Sequence, residues 1–305
     1  MNNKLKKKRM KWDGIDVTVF IIALLVIVIT LYPMWYTFIS SFSDIKYVNA
    51  GKVFLWPVGF STKAYEMVMM QKDFWMGIKN SIINVAAVTV LQLTTTVLMA
   101  YPLTRHNLKF RSIVVWLILI PMYFGGGMIP TYLLIAKLGL YNTRAALILP
   151  GAIGLWNIVL CRTYMASLPG DLYDAAEVDG ATQFQMLLKV AVPLSKPVLA
   201  VIAMYIIVGE WNSWFNASIY TTRADLRPLQ LYLKNYLTQL DAVNTSSDFL
   251  MRLPKDKQIY YLEMKAASEQ LKYAMIILTT APIIAIYPMF QKHFTKGIML
   301  GSLKG

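Results

Sequence analysis

Apolar residues collect in six runs, each close to the ~20 residues an α-helix needs to cross a hydrocarbon layer. They are Asp16–Ser40, Ile78–Tyr101, Ile113–Ala136, Ala145–Ala166, Val198–Tyr220 and Leu271–Gln291. The pattern predicts an all-α membrane protein with six transmembrane helices. Several runs contain breakers. "IPMYFGGGMIPTYLL" puts Pro121, Gly125, Gly126, Gly127 and Pro130 in or beside the third, and such breaks are tolerated only against protein or a wet cavity. The second run carries Asn80, Asn84, Gln92 and Thr94–Thr96, read first as groups that hydrogen-bond between helices. Between the first two runs, the aromatic and amphipathic stretch Phe42–Lys79 reads as a short helix along the membrane surface, with Trp56 and Trp75 at headgroup level.

Composition agrees: 57% of the 305 residues are hydrophobic and 15% charged, with a mean hydropathy of +0.49. The net charge of +14 raises nucleic acid as a partner, but its distribution points elsewhere. Six basic residues (Lys4, Lys6, Lys7, Lys8, Arg9, Lys11) stand directly before the first run, which marks a cytoplasmic flank. An even number of spans then returns the C-terminus to the cytoplasm, where Lys292, Lys296 and Lys304 lie, as do Arg105, Lys109 and Arg111. The outward segment Arg223–Lys272 is also basic, but long loops count little in this rule. Val17–Tyr36 is too long for a signal-peptide core and no small-x-small site follows, so an uncleaved first span is expected.

Catalytic chemistry finds little support. There are two histidines, His106 and His293, and one cysteine, Cys161. No H-E-x-x-H, G-x-S-x-G or Walker A pattern occurs, so the chain is expected to be non-catalytic, with no metal site. The one clearly intramembrane carboxylate, Glu210, is thin support for an ion-coupled carrier, which needs buried relay groups. If the chain transports, its energy should come from another subunit.

Under this topology "GDLYDAAEVDGATQFQML" (170–187) is cytoplasmic. Asp171 is placed to cap a helix after Pro169-Gly170, with Asp174 as an aspartate version of a capping box. Gly180 suits the left-handed residue that ends it. Thr182 and Gln185 form a second box, and Pro193 and Pro197 close that helix. Capping alone leaves a structural connector as an equal reading.

These residues carry a resemblance. Asp174, Ala175, Ala176, Asp179, Gly180, Ala181 and Pro193 resemble the EAA loop of importer-type ABC transporter permeases, with Asp174 standing where that family usually has Glu. Leu55-Trp56-Pro57, Asn80-Ser81 and the ending "YPMFQKHFTKGIMLGSLKG" are similar to carbohydrate permeases of the maltose-transporter MalG class, closest to its polysaccharide and oligosaccharide branch. The resemblance implies a type I ABC importer permease fold. It also implies a bacterial plasma-membrane location with both termini cytoplasmic, and a coupling helix formed by Asp174, Ala175, Ala176, Glu177, Asp179, Gly180 and Ala181. The implied partners are a second related permease, two ATPase subunits that bind ATP and Mg, an external solute-binding protein and membrane lipid, with no nucleic acid. The chain itself would hold no cofactor. Its organisation would be a basic N-terminus (1–15), a first helix with an external surface segment (16–77), an importer core (78–291) containing the loop 168–197, and a cytoplasmic tail (292–305) reaching toward the ATPase.

Two outward features remain. "GEWNSWFNASIY" is expected to place Trp211 with Trp214, and Asn212 with Asn216, on shared helical faces, with Glu210 pointing inward. Aromatic platforms and amides suit sugar rings, while an aromatic belt plus helix contacts is the structural alternative. The segment Thr221–Gln270 resembles the loop that probes the binding protein, with a purely structural insertion as the alternative. An ion-coupled transporter and a membrane scaffold remain the competing functions.

Overall fold

The computed structural model describes residues 13–105, 107–244 and 255–302, with side-chain surroundings over 13–105, 107–238 and 268–291. The basic N-terminal cluster, His106 and residues 245–254 of the outward segment lie outside the described residues, as do the last three residues and the side chains of the tail beyond 291. Every regular element among the described residues is helical. Contacts divide the chain into two compact units, Met1–Val68 with Val243–Ile277, and Met69–Ala242 with Leu278–Gly305.

The first unit is dominated by α1 (Gly14–Ser41). Its start is set by a reciprocal cap: the Asp13 carboxylate accepts from the Gly14 amide at 2.7 Å, and Asp16 accepts from the Asp13 amide at 3.1 Å. The most apolar stretch of α1 has no residue buried inside the protein. A helix apolar all round with nothing packed on it needs lipid as its solvent. Only its last turn, Ile39–Ser41, is buried, where Ile39 joins Ile45 and Val48 of α2 (Ile45–Asn49), together with Val53 and Tyr273. The Trp35 indole donates to the Leu55 carbonyl at 3.0 Å, and Phe42 stacks on both Phe60 and Tyr65. This aromatic girdle is what a membrane interface favours. A short helix does form in this stretch, α3 (Lys63–Met69), which buries Ala64 and Val68.

In the second unit α4 (Lys72–Ala100), α8 (Leu155–Ala166) and α12 (Lys196–Trp211) pack against one another. Val88, Ile158, Cys161, Met165, Ile202 and Ile206 form the centre of that core. α4 begins six residues before the predicted Ile78, because Phe74 and Gly77 already turn inward while Lys72 and Asp73 stay outside.

Three predicted spans are not continuous; the fourth is made of α7 (Ala145–Ile148), a 3-10 turn (Leu149–Gly151) and α8, with a non-helical step between. The third is α5 (Arg111–Tyr123) and α6 (Met128–Lys137), bent by 114° across the glycine run. In the region of the fifth, α12 ends at Trp211 and α13 (Phe215–Tyr220) starts afresh. Upstream, the chain from Gln183 to Leu194 meets α12 at a 78° bend. Among the described residues, four helices are long and apolar enough to cross a membrane, or up to six if each bent pair is one span. After α7 (Ala145–Ile148) and the remaining short helices described below, the chain continues into α14 (Leu229–Asn244) and the long α15 (Lys255–Ser302). α15 starts well before the predicted Leu271 and runs on through most of the predicted tail. The two units share it.

Candidate functional site

The elbow between α8 and α12 consists of α9 (Asp171–Val178) and α10 (Gln183–Met186). A π-helical turn at Leu187–Ala191 and the short α11 (Val192–Leu194) then lead to α12. The N-cap of α9 is Gly170, already in a helical conformation, so Asp171 is the first helical residue and caps nothing with its side chain. Asp171 and Asp174 instead place two carboxylates in the first turn, the favourable end of the helix dipole.

The other end follows the prediction. The Ala181 amide donates to the Ala176 carbonyl at 2.9 Å and the Gly180 amide to Glu177 at 3.0 Å, the two bonds of a Schellman turn. Gly180 sits at φ +73 in the left-handed region, and nothing stands within 4 Å of where a Cβ would be. The Thr182–Gln185 box forms as expected. Pro193 does not end the second helix, because the chain absorbs it in the first turn of α11, and the break falls at Ser195.

The elbow has an inner and an outer side. Ala176 and Ala181 pack against the core and Tyr173 is buried in it, whereas Asp174, Ala175, Glu177, Asp179 and Gly180 are exposed. Leu172, Val178 (88% exposed) and Phe184 (62%) are exposed as well. On the inner side the Arg105 guanidinium lies 3.7 Å from the Tyr173 ring centre and 4.7 Å from that of Tyr101. Burial pushes the Tyr173 phenol up, with the Arg105 charge opposing. The Tyr101 hydroxyl meets Gln183 at 3.1 Å, so the end of α4 grips both elbow helices.

Deeper in the unit, Gln92 of α4, Asn157 of α8, and Tyr205 and Glu210 of α12 line a cavity of about 270 Å³, with Val88 and Ile206 as its apolar wall. Among the described residues none of these four polar side chains has a hydrogen-bond partner. Gly154 makes the arrangement possible: a Cβ there would run into the Gln92 amide. Glu210 therefore faces the cavity. The aromatic pair predicted beside it separates, because the helix breaks at Asn212. Trp211 is 4% exposed and donates its indole N–H to the Thr279 carbonyl of α15 at 3.0 Å. Trp214 is 37% exposed, edge-on to Phe215, with the Lys234 amine 5.2 Å from its ring. Asn212 is exposed and donates to the Val208 carbonyl, and Asn216 is half-buried on α13. Of the five predicted pathway residues, only Glu210 lines the cavity. Gln92, Asn157 and Tyr205 were not among them; their signal was polarity inside apolar runs.

Asn80 and Asn84 do join helices. Arg144 donates to Asn80 at 2.7 Å and to Asn84 at 3.0 Å, while the Asn80 amide donates to the Asp225 and Arg227 carbonyls.

Comparison with known proteins bears on this geometry. Residues 92–300 match the family model of the binding-protein-dependent transport system inner membrane component. The chain is 35% identical to Protein LplC of Bacillus subtilis (strain 168) over 277 residues, covering 91% of this chain and 90% of that protein. It is 30% identical over 294 residues to the polygalacturonan/rhamnogalacturonan transport system permease protein YtcP of the same organism, covering 95% and 98%. Among solved structures, a bacterial ABC transporter involved in the import of the acidic polysaccharide alginate matches with a TM-score of 0.81. The identity is 31%, covering 93% of this chain and 99% of that one.

Proposed function

The chain belongs to the family of binding-protein-dependent transport system inner membrane components, and from that premise we propose that it is the MalG-like permease subunit of an ATP-driven importer of carbohydrate, oligosaccharide in particular. The names of its relatives support the solute class. In this reading the chain crosses the membrane six times, with α5–α6 as the third crossing and α12 as the fifth. Both termini and the elbow lie in the cytoplasm. A second permease completes the passage, two ATPase subunits bind ATP and Mg, and an external binding protein delivers the solute. Asp174, Ala175, Glu177, Asp179 and Gly180 form the outward face of the coupling helix. Ala176 and Ala181, facing inward, tie it to the core.

One observation carries the mechanism: an elbow with a capped turn exposes charged and apolar groups outward while its inner side is held by Tyr101 and Arg105 at the end of α4 and packs into the core. An ATPase that closes on Val178 and Phe184 would move α9 and α10 together, because the Schellman turn that ends α9 and the capping box that starts α10 fix the junction between them. The Arg105–Tyr173 contact passes that displacement to α4, and the 78° bend at Ser195 passes it to α12. Both helices wall the cavity, so pushing the elbow changes access to Gln92, Asn157 and Glu210. That is a bistable packing change of the kind by which a small displacement becomes a gate.

The test is vesicle uptake by the complete reconstituted complex. Solute accumulation should require ATP inside and binding protein outside, and should survive collapse of ion gradients. Uptake driven by an ion gradient without ATP would replace this reading with the ion-coupled one.

A further inference from the structure

On the reading of the chain as a sugar permease, we infer that the cavity between α4, α8 and α12 is a subsite for a single sugar ring without negative charge, and that it rejects uronate units. Size comes first. At about 270 Å³ the cavity lies just below the ~300–1,000 Å³ of typical ligand pockets, room for one ring inside it, with Tyr205 half exposed at the opening.

Chemistry comes next. Gln92 and Asn157 each offer donors and an acceptor, Glu210 offers acceptor oxygens, and Tyr205 offers a hydroxyl and a flat face. All four lack partners among the described residues. A ring bearing neighbouring hydroxyls, each donor and acceptor at once, satisfies such a set.

Charge decides the class. Among the described residues no Lys, Arg or His lines the cavity. Three nearby arginines are engaged elsewhere: Arg144 with Asn80 and Asn84, Arg162 with the Leu103 carbonyl, and Arg105 with two tyrosine rings; Lys72 and Lys79 of α4 and Lys196 of α12 are not in the lining. A uronate entering would bring its carboxylate beside the acidic side chain of Glu210 with no cation in the lining to pair it, whereas an uncharged ring meets no such mismatch. Whether Glu210 carries a proton or not, it supplies no positive charge. Rejection by an unmet partner is an economical route to specificity. It would separate this chain's solute from the acidic polysaccharides for which two of its relatives are named.

The experiment uses the complete complex in nanodiscs without binding protein, and equilibrium binding of radiolabelled maltotriose, xylotriose and trigalacturonate. At least one uncharged trisaccharide should bind, with trigalacturonate at least tenfold weaker. Asn157→Ala and Gln92→Ala should each weaken the uncharged probe fivefold or more. Asn157→Lys should narrow or reverse the ratio, and the near-isosteric Glu210→Gln should raise trigalacturonate binding at least threefold if the lysine variant does not assemble. Trigalacturonate binding as tightly as the uncharged probes overturns the inference, as does failure of every probe to bind, or a ratio unmoved by the charge changes. ATP-driven uptake measured on the same preparations separates the two claims. A complex that transports without discriminating loses the subsite and keeps the permease reading; one that does not use ATP loses both.

Discussion

Replacing Gly180 separates backbone strain from bulk. Gly180 holds φ +73 with open space around the missing Cβ, so no side chain placed there collides with this protein. What a substitution costs is the left-handed conformation itself, roughly 1–2 kcal/mol for an ordinary L-residue and less for Asn, whose short polar side chain tolerates that region. Val, branched at Cβ, stands at the upper end. The chain has one escape, which is to abandon the turn. That gives up the Ala181–Ala176 and Gly180–Glu177 hydrogen bonds, each about 0.5–1.5 kcal/mol net, and frees an α9 too short to be stable alone. A strain near 2 kcal/mol shifts the seated elbow roughly 30-fold against its alternatives, since ~1.4 kcal/mol is tenfold. Apolar spans are untouched, so membrane levels should hold. The assay is solute-stimulated ATP hydrolysis by the purified complex, normalised to membrane content. Gly180→Asn should remain near wild type, Gly180→Ala should fall several-fold, and Gly180→Val should lose stimulation. Equal loss in all three would mean that bulk at a subunit contact, not backbone strain, governs the site. Wild-type coupling in Gly180→Val would refute the strained-turn argument.

Trp211→Ala should remove a buried ring and its bond to Thr279, costing about 3–5 kcal/mol and lowering membrane levels and assembly together; Trp214→Ala, at a half-exposed ring, should spare assembly, and immunoblots of purified complexes distinguish the two. Arg144→Met should leave two buried asparagines without their cation, a loss of about 1–3 kcal/mol for each group left unsatisfied, read as a lower unfolding temperature in detergent, with partial recovery in Arg144→Lys.

The apolar runs made the helices legible, and Gly180 with Thr182-x-x-Gln185 made the elbow legible, because both depend on local chemistry alone. Other features depend on long-range packing. The glycines at 125–127 announced a break but not a 114° turn, which is set by what the two halves pack against. Asn212 ends α12 within an apolar stretch that reads as continuous, so the shared face expected of Trp211 and Trp214 does not exist. The cavity gathers Gln92, Asn157 and Glu210 from three helices, a meeting no spacing rule reports. The early start of α15 was hidden by polarity: "KDKQIYYLEMKAASEQ" carries too much charge to cross a membrane, but helix formation outside lipid does not require an apolar run.

The central claim is that the outer face of the elbow is where an ATPase subunit bears on this chain. A photo-reactive amino acid placed at Val178, the most exposed apolar residue of α9, tests it directly. A control at Trp116 sits on α5 far along the chain, at a ring 62% exposed in an apolar helix. Irradiation of membranes containing the whole complex should join the Val178 variant to the ATPase subunit, with a yield that changes when ATP is bound, and should leave the Trp116 variant unjoined. No ATPase adduct from Val178 in an assembled, transporting complex would contradict the account.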